Sequence, residues 1–256
     1  MQQPVAAWRP TVEAIEAARI THFTNWLARE RGLKFADYDA LWRWSVGDLD
    51  AFWSAVWDYF EIRSSRPRGC ALADARMPGA RWFPGVELNY VEQVFRHSTH
   101  TCPAIVFADE SGARRELDWS ELERRAGALS AWLRATGIRR GDRVVAYMPN
   151  IPETVVAFLA VASIGAIWSV CSPDMGRVAV LDRFRQIEPK TMIAVDGYRY
   201  GGKAYDRRDL LRELLAELPS VENVVLVPSL GTRANAAEFD HAVCWEAATA
   251  GEAPLA

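Results

Sequence analysis

Residues 147 to 176 read YMPNIPETVVAFLAVASIGAIWSVCSPDMG, and between Asn150 and Ile164 the only charged side chain is Glu153. A helix that is apolar nearly all round cannot lie on a surface, so it must be buried between layers. Strand-like runs flank it, DRVVAYM before and AIWSVC after. Ala160, Ala162 and Ser163 are small enough to let a strand or helix approach closely. Asn150 and Pro152 suit the first turn of such a helix, as cap and as first helical residue.

The same alternation continues on both sides. PAIVFADESGARRELDW reads as a hairpin, with a strand from Ala104 to Ala108, a turn at Glu110-Ser111-Gly112 and a returning strand. SELERRAGALSAWLRATG reads as a helix, with a capping box of Ser120 and Glu123 and a stop at Gly137. VAVLDRFRQIE and YDRRDLLRELLAEL read as helices, TMIAV and ENVVLV as strands. Strands alternating with helices predict an α/β fold, a mainly parallel sheet covered on both faces. After ENVVLV, the stretch NAAEFDHAVCWEAATAGEAPLA fades into small residues with no further element expected. That leaves an open sheet edge, with Val224, Val225 and Leu226 uncovered.

Residues 1–80 have another texture, Trp-rich and helical, and are expected to form an extension separate from residues 81–256. TVEAIEAARITHFTNWLARERG predicts one helix with Ile15, Ile20, Phe23 and Leu27 as its apolar positions and Gly32 as its stop. SVGDLDAFWSAVWDYFEI places Leu49, Phe52, Trp53, Val56 and Phe60 on one helical face, the pattern of a packed core stripe rather than a ligand groove. RSSRPRG, residues 63–69, reads as a solvated linker.

Composition narrows the function classes. A chain of 256 residues, 50% hydrophobic, can bury roughly three quarters of its unfolded surface. A net charge of −3 gives no long-range attraction to nucleic acid or anionic membrane. MQQPVAAWRP lacks a basic region followed by an apolar core, so no secretory signal is expected. No apolar stretch reaches the roughly 18 to 20 residues of a membrane span. Cys70, Cys102, Cys171 and Cys244 form no C-x-x-C pair and read as reduced thiols of a cytoplasmic protein. His97, His100 and Cys102 crowd together without a fourth ligand, so no metal site is assigned. G-x-G-x-x-G, G-x-x-x-x-G-K-[ST] and G-x-S-x-G are all absent, which disfavours dinucleotide-binding, P-loop and serine-hydrolase chemistry.

WFPGVELNYVEQV, the long segment from Gly141 to Gly176 and DRFRQIEPK together resemble the AMP-forming acyl-CoA synthetases of the adenylate-forming superfamily. CSPD and RFRQIEPK tilt the resemblance toward the acetoacetyl-CoA synthetase branch (acetoacetate–CoA ligases). The resemblance implies a helical N-terminal extension followed by the first, mainly parallel α/β part of the large adenylation domain. It also implies ATP, Mg²⁺ and coenzyme A in the complete enzyme, with acetoacetate as the acid. The family's Ser/Thr/Gly-rich phosphate loop, its later ATP-contacting motifs and its C-terminal lysine find no counterpart here. The chain therefore resembles the first part of such an enzyme, inactive alone and with no catalytic residue of its own, and a C-terminal half is its expected partner. The alternatives are a non-catalytic half-protein that binds coenzyme A or a partner chain, and part of an acetyl- or propionyl-CoA synthetase. In the acetyl-CoA synthetase group an Arg-x-Gly-Arg turn contacts coenzyme A phosphates. The corresponding stretch here is DGYRYGGK, so Arg199, Gly202 and Lys203 are its candidates. Otherwise it is a solvated turn between a strand and a helix. Asp174, in Ser172-Pro173-Asp174, matches the family's pantetheine tunnel; the plain alternative is a helix cap by Ser172 or Asp174.

Overall fold

The computed structural model describes residues 8–231 and 236–255. The chain divides between Leu88 and Asn89 into two compact units.

In the N-terminal unit, the first expected helix is two: α1 (Val12–Glu16) and α2 (Arg19–Arg31). Ala18 between them is extended, and the Thr21 hydroxyl donates to the Ile15 carbonyl at 2.6 Å, satisfying the end of α1. The break leaves Ile15 and Ile20 exposed while Phe23 and Leu27 are buried. Gly32 stops α2 as expected, at φ +67°. Asp37 and Asp48 cap α3 (Tyr38–Gly47) and α4 (Leu49–Tyr59), accepting from the N–H groups of Ala40 and Ala51 at 2.8 and 3.0 Å. Phe23, Leu27, Leu41 and Ala55 form the core, with Phe52 and Val56 packed on it. The expected aromatic stripe therefore splits, since Trp53 on α4 and Phe60 at its C-terminal cap stay exposed. The stretch 63–69 is a largely exposed connection without helix or strand, as expected, but it lies within the unit and is anchored to it. Ser65 N–H donates to the Glu87 carbonyl at 3.1 Å, and the Arg68 guanidinium forks onto both oxygens of Asp58 at 2.8 Å. A short antiparallel pair, β1 (Leu72–Asp74) and β2 (Arg81–Trp82), completes the unit.

The second unit opens with α5 (Tyr90–Phe95) and the expected hairpin, β3 (Ile105–Ala108) with β4 (Arg114–Leu117). Helix α6 (Trp119–Ala135) is capped by Asp118, which accepts from Glu121 N–H at 2.7 Å. Ser120 is not the cap; its hydroxyl donates to the Asp118 carboxylate. Then follow β5 (Arg143–Tyr147), α7 (Pro152–Ser163), β6 (Ile167–Cys171), α8 (Arg177–Arg185) and β7 (Thr191–Val195). After them come β8 (Gly197–Tyr200), β9 (Lys203–Asp206), α9 (Arg208–Ala216) and β10 (Asn223–Val227). A 3₁₀ turn (Ala236–Glu238), β11 (Ala242–Cys244) and α10 (Trp245–Ala248) close the described part.

β11, β10, β7, β5 and β6, in that spatial order, make one parallel sheet. Side chains alternate across it. Val144 and Ala146 join the layer of α6 and α7, which includes Leu129, Val156 and Ala160. Val145 and Tyr147 join the layer of α8 and α9, which includes Phe184, Leu211 and Leu214. Helix α7 is buried as its composition demands. Pro152 is its first residue, but the cap position is Ile151, without a side-chain bond, so Asn150 does not cap it. The end of the chain overturns another expectation. β11 pairs along β10, and Val224, Val225 and Leu226 are at most 2% exposed, so that edge and those side chains are covered.

Candidate functional site

β5 runs to β6 on one side, and the chain then returns through α8 to β7 on the other side of β5. Loops leaving the carboxyl ends of such neighbouring strands diverge and open a crevice, the usual ligand position in doubly wound sheets. The ends of β5 and β7 are Tyr147 and Val195, and the groups around them form a connected hydrogen-bond set.

Tyr147 is fully buried, and its hydroxyl faces the Pro173 and Met175 carbonyls at 2.7 and 2.9 Å. Burial pushes its pKa up to about 12, so it stays a donor at any physiological pH. This donor shapes the loop after β6 that carries Asp174. Arg207 Nε donates to the same Pro173 carbonyl at 2.8 Å. The Arg207 guanidinium also lies 5.2 Å from the Tyr198 ring centroid and donates to its hydroxyl at 3.1 Å. Its backbone N–H reaches the Asp196 carbonyl at 2.8 Å. Asp196 is buried just past β7, and its carboxylate accepts from the N–H groups of Ser229 and Leu230 at 2.7 and 3.2 Å. Arg207 thus ties the Asp174 loop to β8 and β9, while Asp196 ties β7 to the exit of β10.

DGYRYGGK is neither a simple turn into a helix nor a flat cradle. It forms the antiparallel hairpin of β8 and β9, with Tyr198 stacked on Tyr205 at 5.1 Å. Gly201 and Gly202, at φ +57° and +73°, make the two-residue turn that such twist-matched hairpins need. At Gly197, a Cβ would stand 2.4 Å from the Tyr205 carbonyl oxygen, so the hairpin can close only over a glycine. The register places Arg199 opposite Ala204, and Lys203 opposite Tyr200. Because neighbours alternate faces, Lys203 lies on the tyrosine face and Arg199 on the other. The two cations flank the turn from opposite sides. Gly202, between them in space, presents its N–H at the tip. Asp174 is exposed at the same end of the sheet, in a loop whose carbonyls are already held. It caps no helix, and neither does Ser172, because α8 starts from Gly176.

Sequence reading missed Tyr147, Asp196, Tyr198 and Arg207. The alternation of Tyr198 and Tyr200 with Tyr205 around Gly-Gly was a legible hairpin signal. The role of Arg207 was not legible, because its partners lie 34 and 9 residues away. His100 and Cys102 line a separate cavity of about 460 Å³ with Glu116, Asp118 and Trp119. Among the described residues no three His, Cys, Asp or Glu side chains come together to hold a metal ion.

The family model described as AMP-binding enzyme matches residues 93–252, more than half of the chain. The chain belongs to that family. A second model, the acetyl-coenzyme A synthetase N-terminus, matches residues 38–94. The solved structure of acetoacetyl-CoA synthetase from Streptomyces lividans superposes with a TM-score of 0.93 at 46% identity, over 98% of this chain and 39% of that one. Acetoacetyl-coenzyme A synthetase of Rhizobium meliloti (strain 1021) is 42% identical over 91% of this chain and 36% of its own length. The Xenopus tropicalis acetoacetyl-CoA synthetase is 37% identical over 86% and 33%. The chain thus spans about a third of the length of these relatives. The residues of this hydrogen-bond set all fall between 93 and 252, within the AMP-binding match.

Proposed function

We propose that this chain is the N-terminal portion of an acetoacetate–CoA ligase. The complete enzyme would join acetoacetate to coenzyme A in two steps. A carboxylate oxygen attacks the α-phosphorus of ATP and pyrophosphate leaves; the coenzyme A thiol then attacks the acyl-adenylate and AMP leaves. The observation that carries this reading is the 46% identity, along 98% of the chain, to a solved acetoacetyl-CoA synthetase.

The chain's own contribution is to bind and orient coenzyme A at the carboxyl end of the sheet. Arg199, Gly202 and Lys203 supply charge and an N–H group to its phosphates, and the loop of Asp174 borders the pantetheine arm. An arginine can grip phosphate with two parallel bonds, whereas Lys203 acts as a point charge. Opposite placement on the hairpin suits a ligand draped over the tip rather than lying along one face. No residue of this chain is proposed as a Mg²⁺ ligand; the ion would be held together with the phosphates of ATP. ATP, Mg²⁺ and the acid belong to the remainder of the enzyme, a C-terminal portion that is this chain's expected partner. The free cysteines accord with a reducing compartment, the cytoplasm, and a role in ketone-body and lipid metabolism would follow from acetoacetate as the acid.

Pyrophosphate release with ATP, Mg²⁺ and acetoacetate tests the division of labour. The 256-residue chain alone is expected to give background only. Turnover by the purified chain would sink the reading that adenylation needs residues outside it.

A further inference from the structure

The two N–H groups at the tip of the β8–β9 hairpin are not open to solvent alone. The carboxylate of Glu110, in the turn between β3 and β4, takes one in each oxygen: Gly201 N–H at 2.9 Å and Gly202 N–H at 3.1 Å. Successive glycines in left-handed conformation turn neighbouring N–H groups toward one concave spot, a geometry that binds anions. Here the anion belongs to the protein itself. The same two bonds hold the Glu110 carboxyl below the usual carboxylate range, so it is charged at neutral pH.

We infer that Glu110 is an internal anion that closes the hairpin tip and that a phosphate-bearing ligand must displace it. This rests on the reading of the tip as a coenzyme A phosphate site. Three observations support it. Glu110, Gly201 and Gly202 are all exposed, so water and ions compete for every group and an incoming anion can displace the contact. Arg199 and Lys203 flank the tip, and among the described residues neither is paired with a carboxylate. A phosphate brings more charge and more acceptor oxygens than a carboxylate, so it can use the two N–H groups and a flanking cation together. A pin meant only to hold two hairpins together would be better served by buried groups, and the interior offers that style of contact in Asp196, whose carboxylate grips two N–H groups at 1% exposure.

The test uses the full chain with Glu110→Gln, which removes the charge at nearly constant shape, and Glu110→Ala, which removes both acceptors. Glu222→Gln, an exposed change elsewhere in the same unit, controls for net charge. Amide signals of Gly201 and Gly202 are followed by NMR without ligand, then through titrations with inorganic pyrophosphate and, separately, coenzyme A. Both Glu110 variants are expected to shift the two amides and raise their hydrogen exchange. Pyrophosphate, read at those amides, is expected to bind about tenfold tighter if the tip is closed about nine-tenths of the time. Glu222→Gln should change neither. Unchanged amides in Glu110→Ala, or an unchanged pyrophosphate affinity, would overturn the inference. Tighter pyrophosphate binding with no coenzyme A response would leave the latch standing and overturn the coenzyme A reading instead.

Discussion

The two units solve the burial problem in different ways. In the α/β unit the sheet is covered on both faces, and strand residues such as Val144, Val145, Met192, Ile193 and Val225 have no exposed surface. In the N-terminal unit the helical core cluster holds four buried hydrophobic residues, and larger side chains remain half in water, Trp42 at 52% and Trp53 at 40% among them. Aromatic edges do part of the work there. Phe23 and Trp26 pack against Tyr59 at 4.9 and 5.5 Å between ring centroids, at 69° and 72°. Charge does another part, with Asp58 clamped by Arg31 and Arg68. The lesson is that hydrophobic content alone does not tell how a segment is held. Small and branched residues between layers are held by burial, large aromatic residues on short helices by edge contacts and ion pairs.

If that contrast is right, the largest effect of any truncation should fall on the layered unit. Phe184 is fully buried between sheet and helices, so Phe184→Ala should cost about 3–5 kcal/mol through lost transfer energy and the cavity left behind. Urea unfolding followed by circular dichroism would show it, and a loss below about 1 kcal/mol would break the comparison. The clamp in the helical unit should matter less. Asp58→Ala leaves two guanidinium groups that are 28% and 21% exposed and can turn to water, so about 1 kcal/mol is expected, shrinking in high salt. A cost rivalling that of Phe184→Ala would show that charge, not packing, dominates that unit.

The smallest effect sharpens the contrast at the rim of the layered unit. Glu121 accepts from Arg124 and Arg125, while Arg124 also reaches the Thr249 carbonyl beside α10. Hydrogen bonds from Arg124, with help from Arg125, lower the Glu121 carboxyl from 4.5 to about 2. A pKa depressed by folding contributes stability above the unfolded value, lost as pH falls through the folded one. The contribution should be complete above pH 4.5 and fade toward pH 2. Melting Glu121→Gln and the parent chain at pH 6 and pH 3 should show a smaller drop in the variant; equal drops would remove Glu121 from the acid response.

Much of the fold was legible because burial leaves a mark on composition. The uncharged circumference of α7 required layers above and below it, and the alternation of strands and helices required parallel pairing. Local rules failed where two candidates competed within one turn. Asp118 outcompetes Ser120 for the start of α6 because its carboxylate reaches the Glu121 N–H while Ser120 becomes a donor to it. Ala18, with no capping side chain, hides the break between α1 and α2. β11 was missed because AVC is only three residues long and carries no signal without its partner β10.

The candidate site divides along the same line. The sequence by itself determined that DGYRYGGK carries cations around a glycine pair, and that Pro-Asn-Ile-Pro rules out a glycine cradle after β5, because residue type and backbone freedom are local properties. Only the tertiary structure decided that Arg199 and Lys203 face opposite ways, that Arg207 joins the Asp174 loop to the hairpin, and that Glu110 fills the tip. Those are matters of strand register and of contacts between residues as many as 92 positions apart. Such contacts leave no periodic trace in a chain, since a hydrogen bond constrains where two groups meet and not how many residues separate them.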